Sequence, residues 1–373
     1  MLRAYMTRQP SLLLTVLIIF LIGTIVSAAA GQDAAPQIRA EIGRLQKSLK
    51  DNPVSDPDWT DLASSTHDTL KAADDALASG RLYLCLERLG SAEDYMLGMR
   101  SAVDKADVVK NGLPAFEARW GKASLSLTAL DQQARNRDWG HSPTAVQALA
   151  EAAQGRAIPL LDGGRGFATA TGAKEGLFYV GEAEGEAQFA KFAAGLNLPR
   201  TGTGLPLRSL LPELQSLQDK VNAAFQPPKS IDLHSRFIAL NSTLKLAQEL
   251  DARQFYAGAL YQYLEAVRHY GMLDARPLDA TAQAELKPAL AAARKQLEGS
   301  SADDSIALLF VERAESYVSH PDGSAPSADE WRGAKLILDQ VLPAYLAAQK
   351  PAGPTQTPSG KTVAITLVRW PYT

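Results

Sequence analysis

Two passages of this chain echo one another. Thr69 to Met99 and Thr243 to Met272 both open on Thr-Leu-Lys, run one helical face into a short break, and restart on a face carrying leucine, alanine and tyrosine. Amphipathic units of this kind must bury their apolar stripes against one another, so the echo limits the architecture more than any other feature. The order of helix, proline stop, capped helix, short break and aromatic helix occurs twice, from about residue 37 and from about residue 207. We read this as a tandem duplication. The expected fold class is all-α: antiparallel helical hairpins in two tandem halves, built as a tetratricopeptide-like array or as two fused helical bundles, with a short C-terminal β-strand.

The stripes follow in order. Ile38, Ile42, Leu45 and Leu49 share one face, ended by Asp51-Asn52-Pro53. Asp56 and Pro57 open the next helix, which carries Trp59, Leu62, Leu70 and Leu77 inward and stops at Gly80. Leu82, Leu86, Leu89, Met96 and Met99 mark a third, and Phe116, Trp120, Leu127 and Leu130 a fourth. Ser142-Pro143 reads as a cap with a first-turn proline, and Pro159 should kink or end the helix behind it. In the second half Ser230 or Asp232 is expected to cap, and Ser327 with Glu330 has the spacing of a capping box. Gly80, Tyr83 and Ala92 resemble one tetratricopeptide unit in spacing, but the rest of that pattern and its ~34-residue period are missing, so no family is assigned.

The expected divisions are 1–30, a signal peptide or N-terminal membrane anchor; 31–206, the first half, with a glycine-rich irregular segment at 155–206; 207–350, the second half; 351–361, a linker; and 362–373, the strand. Within the glycine-rich segment, Phe167–Thr171 and Leu177–Val180 read either as two short strands or, for the second, as part of a helix through Ala194. The terminal strand has three candidate partners: that hairpin, a groove of its own body, or another protein's sheet edge. No GxxxxGK[ST] occurs, and Gly181 and Gly185 are expected to let a helix approach a neighbour closely.

Arg3 and Arg8, the apolar run Leu12 to Val26 and the small residues Ser27 to Ala30 form an export leader, cut near Ala30 or retained as an anchor. The body is then periplasmic or secreted. Removing Arg3 and Arg8 takes the net charge from −3 to about −5, which argues against nucleic acid as partner and leaves contact with a membrane to residues 12–30. Cys85 is the single cysteine; it excludes an internal disulfide and, set among leucines, reads as a small buried hydrophobe.

No motif in the chain is catalytic. The five histidines, His67, His141, His234, His269 and His320, make no metal-ligand spacing, and no nucleophile motif is present, so no metal, cofactor or catalytic residue is assigned. Asp74-Asp75, Glu182/Glu184/Glu186 and Asp303-Asp304 read as solvated faces or helix starts. The sharpest pattern is Tyr256, Tyr263 and Tyr270, spaced by seven, with Arg268 and His269 alongside: a groove for a ligand or partner, or an interhelical seam. Arg369, Trp370 and Tyr372 form a second candidate recognition cluster. Two functions follow. One is a non-enzymatic interaction or scaffolding protein whose partner is another protein of the cell envelope. The other is an exported ligand-binding protein or enzyme with a pocket between the halves. A pocket gathering Tyr263, Arg268 and His269 with an acid favours the second; an open, uncharged groove favours the first.

Overall fold

The computed structural model describes residues 34–350, apart from 55, 104, 171, 228, 229 and 275. Among the described residues the chain is all-helical, and the single β feature is an isolated parallel bridge between Thr203 and Ala302. The N-terminal part comprises α1 (Ala35–Asp51), a 3-10 turn (Pro57–Trp59), α2 (Thr60–Ala78), α3 (Leu82–Val103), α4 (Ala106–Asn111), α5 (Leu113–Arg135), α6 (Thr144–Ala170) and α7 (Ala173–Gly195). The C-terminal part comprises α8 (Leu211–Ala224), a 3-10 turn (Ile231–Leu233), α9 (His234–Ala252), α10 (Tyr256–Gly271), α11 (Ala280–Glu298), α12 (Ser305–Val318) and α13 (Ala328–Leu336), which runs through a π turn (Ile337–Val341) into α14 (Leu342–Ala348). The expected C-terminal strand, the linker and the leader lie outside the described residues.

The sequence echo has a backbone counterpart. The separation between Thr60 and His234 also separates the two 3-10 turns, the ends of α2 and α9, and the starts of α3 and α10. It also carries Gly80 onto Gln254, and both residues hold positive φ, +71° and +64°. Glycine takes this left-handed conformation freely, whereas a glutamine with φ near +64° pays for its Cβ, so the break keeps its geometry where its residue has changed. Lys71 with Asp75 and Lys245 with Glu249 form i,i+4 ion pairs at matching positions.

One continuous core takes side chains from α1 through α14, including Leu45, Leu70, Leu86, Phe189, Leu214, Leu244, Phe310 and Tyr345. A smaller cluster of Phe116, Leu127, Leu161, Leu177 and Val180 joins α5, α6 and α7. Cys85 lies fully buried in the main core, and burial pushes its thiol up to about 12, which leaves it an inert hydrophobe.

The glycine-rich segment is where the fold departs from expectation. Residues 167–170 do not form a strand but belong to α6, and residues 177–180 belong to α7, the helix expected as the alternative for the second segment, with Gly172 between them at φ +145°. Nor is 155–206 irregular as a whole, since helix covers most of it, and Pro159 sits inside α6 without ending it. Apart from Gly172, several of these glycines serve contact rather than turns. A Cβ on Gly181 would stand 2.2 Å from the Leu97 carbonyl oxygen, one on Gly185 2.5 Å from Asp94 Cα, and one on Gly164 2.8 Å from the Gly176 carbonyl oxygen. Thus α7 lies against α3 on one side and α6 on the other with backbones nearly touching, which only glycine permits.

Burial of the acids is the second departure. Asp303, Glu182 and Glu186 are 1%, 7% and 1% exposed rather than solvated. Several carboxylates cap helices that lie far away in sequence. Glu312 of α12 accepts the Leu84 N–H at the start of α3 (2.8 Å), and Glu151 of α6 accepts the Gly258 N–H at the start of α10 (2.8 Å). Asp303 accepts from the Thr144 N–H and hydroxyl at 2.6 Å each, and Asp251 accepts from the Leu210 N–H at 2.7 Å. These acids satisfy orphaned first-turn donors and meet the positive end of each helix dipole. The local caps read at Ser142, Ser230 and Asp232 are not used; the Ser230 hydroxyl instead accepts from the Gln226 N–H. The Ser327–Glu330 capping box is present.

Buried acids give stability a particular pH profile. Burial pushes Glu312 up to about 8, and Glu151 and Glu93 up to about 7, from an ordinary 4.5. Between 4.5 and those values the folded chain holds protons that the unfolded chain has released, so stability is fullest near pH 4.5 and declines as pH rises through 7 to 8. Thermal melts are expected to show a lower Tm at pH 8.5 than at pH 5. Glu312→Gln, which keeps an acceptor oxygen but cannot ionise, is expected to flatten that slope. A Tm that climbs across the same range would contradict the assignment.

Candidate functional site

The site begins with the close approach of α3 and α7. Gly181 and Gly185 press α7 onto α3, and the residues after them, Glu182 and Glu186, are carried into the same interface beside Asp94 and Tyr95. α6 contributes Arg156 and Leu160, while α9 and α10 close the opposite wall with Leu246, Tyr261, Glu265 and His269. Together they line a chamber of about 630 Å³, open to solvent on one side, between the N-terminal and C-terminal parts. A second chamber of about 390 Å³ adjoins it, lined by Glu87, Arg88, Arg268, Arg313 and Tyr317. Ser91, Arg156, Tyr261 and Glu265 line both and form the partition.

The partition is an ion network. Arg313 donates to Glu87 and Glu265, and its Nε stands 3.2 Å from the second Glu87 oxygen. The Tyr261 hydroxyl donates to Glu87, and Arg268 donates to Glu265 at 3.0 and 3.1 Å. On the larger chamber's side Arg156 makes a two-pronged contact with Glu186. Although burial opposes it, the Arg313 and Arg268 guanidiniums hold the Glu265 carboxyl down to about 2. His269 is moved down by burial and by the adjacent Arg268, so its imidazole is neutral at pH 7.

The chambers differ in charge. Glu182 is pushed up to about 7 by burial and then by Glu186. Asp94 is raised by burial and then by Glu186 and Glu182, with Arg156 opposing. At matching positions in the echo, Asp94 corresponds to Arg268, Tyr95 to His269 and Glu87 to Tyr261, so the acid of one chamber stands where the other carries a guanidinium. Arg88, in the smaller chamber, donates to the Ala72 carbonyl (2.8 Å) and the Ser316 hydroxyl (3.2 Å).

The residues named from sequence fall in several places. His269 lines the larger chamber and Arg268 the smaller. Tyr263 and Tyr270 face a separate cleft of about 480 Å³ with Pro212, Lys220 and Gln340, and Tyr256 lies in a crevice with Leu205 and Arg208. Arg369, Trp370 and Tyr372 lie outside the described residues. Sequence reading did not single out Asp94, Arg156, Glu182 and Glu186. A usable signal was there: Gly181-Glu182 and Gly185-Glu186 put the acids beside a glycine stripe expected to be in close contact, which leaves them no route to solvent.

Fold and site define an all-α protein with a charged interhelical cleft. Among the described residues no helix is long and apolar enough to cross a membrane. Comparison with known protein families, curated proteins and solved structures finds no match for this chain.

Proposed function

We propose that this chain is an exported, periplasmic or secreted protein that binds a small ligand in a pocket between two tandem halves of paired helices. What carries the reading is the chamber of about 630 Å³ whose walls come from α3, α6 and α7 on one side and α9 and α10 on the other. Clefts of this size with a few convergent polar groups are a usual form of a small-molecule site. The tandem arrangement is supported by the shared spacing of the 3-10 turns, of Gly80 with Gln254, and of the crossed caps, since Leu84 and Gly258 correspond. It is further supported by the contact between Glu87 and Tyr261, because equivalent positions meet at a two-fold axis.

The expectation of an interaction surface keeps one observation in its favour: Phe225, Ile231 and Ile238 expose apolar side chains near the α8–α9 connection. The expected gathering of Tyr263, Arg268 and His269 in one pocket is not formed, since they line three different ones; the charged cleft built from other residues is what favours ligand binding as the primary role, and no catalytic step is assigned to it. Native mass spectrometry of the full chain, purified gently from its own source, is expected to show a bound small molecule that leaves on mild activation. In Leu160→Trp, where an indole fills the chamber, that mass should be missing. A ligand retained by this variant would place binding elsewhere.

A further inference from the structure

We infer that the larger chamber takes a small organic cation carrying amine groups, held between Asp94 and Glu182 against the phenol rings of Tyr95 and Tyr179. This inference rests on the ligand-binding reading and names the ligand's chemistry.

The starting point is how the charges in the chamber are paired. Glu186 is answered by Arg156, Glu249 by Lys245, and Glu265 by Arg268 and Arg313. Asp94 and Glu182 are left over. Glu182 is 7% exposed and, among the described residues, its carboxylate makes neither a hydrogen bond nor an ion pair. Asp94 accepts only the N–H of the next residue, Tyr95, at 2.6 Å. Glu182 is buried without a counter-charge of its own, and part-buried Asp94 is opposed only by Arg156, which is already paired with Glu186, so this wall favours a positive charge that the protein does not itself supply.

The type of cation follows from the surroundings. Among the described residues no group of His, Cys, Asp and Glu side chains is placed to hold a metal ion. The volume far exceeds what one inorganic ion fills, and Tyr95, Tyr179 and Leu160 add apolar and aromatic surface suited to an alkyl chain. Anions are disfavoured on this side, since every guanidinium facing the chamber is already engaged. Gly181 and Gly185 hold the two acids in place by locking α7 to α3, which keeps the site formed before the ligand arrives.

Protonation adds a second signature. Glu182 and Asp94 face Glu186, Glu265, Glu249, Arg156, Lys245, His269, Tyr95, Tyr179 and Tyr261, and both carboxyls are raised, chiefly by burial. Alkyl ammonium groups keep their proton to about pH 10. Raising the pH from 6 to 8.5 therefore deprotonates Glu182, which burial pushes up to about 7, while the ligand stays charged, and affinity should rise.

The test is isothermal titration calorimetry of the full chain with 1,5-diaminopentane, spermidine and choline, with 1,5-pentanediol and glutarate as neutral and anionic counterparts. Saturable binding of amines is expected, stronger at pH 8.5 than at pH 6, and weakened about tenfold or more in Glu182→Gln and in Asp94→Asn. Both variants remove an unpaired buried charge, so their Tm should equal or exceed that of the parent. If the diol or glutarate binds, is lost in Leu160→Trp, and the amines do not bind, the charge assignment is wrong and the ligand-binding reading stands. If none of the probes binds and a mixed fragment library leaves the Tyr95 and Tyr179 signals unmoved, both fall.

Discussion

Arg313→Met is expected to cost about 3–5 kcal/mol of folding stability, more than any other single side-chain removal on the surface of the cleft. Arg313 is only 7% exposed, and its guanidinium is the shared counter-charge of Glu87 on α3 and Glu265 on α10. Removing it leaves Glu87 without a guanidinium and Glu265 with Arg268 alone, in a largely buried partition. A methionine fills similar space, so the loss measures charge rather than a cavity. Denaturant unfolding would give the size of the effect. Adding Glu87→Gln to Arg313→Met should recover much of it, because Glu87 is the carboxylate left bare while Glu265 keeps Arg268 as its counter-charge. A single-site cost below about 1 kcal/mol, the range of an exposed ion pair, would show that water reaches the network.

Gly181→Ala is the second large effect. The new methyl would stand 2.2 Å from the Leu97 carbonyl oxygen and 2.6 Å from Ser101 Cβ, both attached to a buried helix that cannot rotate away. α3 and α7 must separate, at a cost of about 1–3 kcal/mol or somewhat more, against the few tenths to ~1 kcal/mol that alanine gains over glycine in a helix interior. Gly163→Ala is the control. It too lies within a helix, with nothing within 4 Å of its Cβ, so it should stabilise slightly. Melting both variants side by side separates packing from propensity. Equal Tm shifts of one sign would refute the close contact. Because Gly181 precedes Glu182, its alanine variant should also loosen the acidic wall.

Much of the helix map was legible from periodicity alone, since stripes such as Ile38-Ile42-Leu45 and Leu286-Leu290 bury the faces they predict. The Ser327–Glu330 cap was legible because its partners are three residues apart. Asp303, Glu151 and Glu312 were not, because their partners stand 159, 107 and 228 residues away and a local reading sees only an acid on a helix. Of the two readings at 177–180 the helix is the one formed, and 167–170 is helical instead of a strand, for a related reason. Glycine lowers helix propensity in isolation, but here the favourable term is backbone contact between α6, α7 and α3, which no single segment displays. The cleft was half legible: His269 and Arg268 were found through their neighbourhood to the tyrosines, whereas Glu182 and Glu186 were mistaken for solvent-facing charge.

Asp94 and Arg268 occupy matching places on α3 and α10, with opposite charge. Two separate, identical subunits meeting about an axis are obliged to show the same side chain at both places, so neither pole of such an assembly can differ from the other. One polypeptide carrying both positions is free of that obligation. Its interior can be electrically lopsided, negative at one end and positive at the other, so a ligand of the kind proposed would meet a direction as well as a shape.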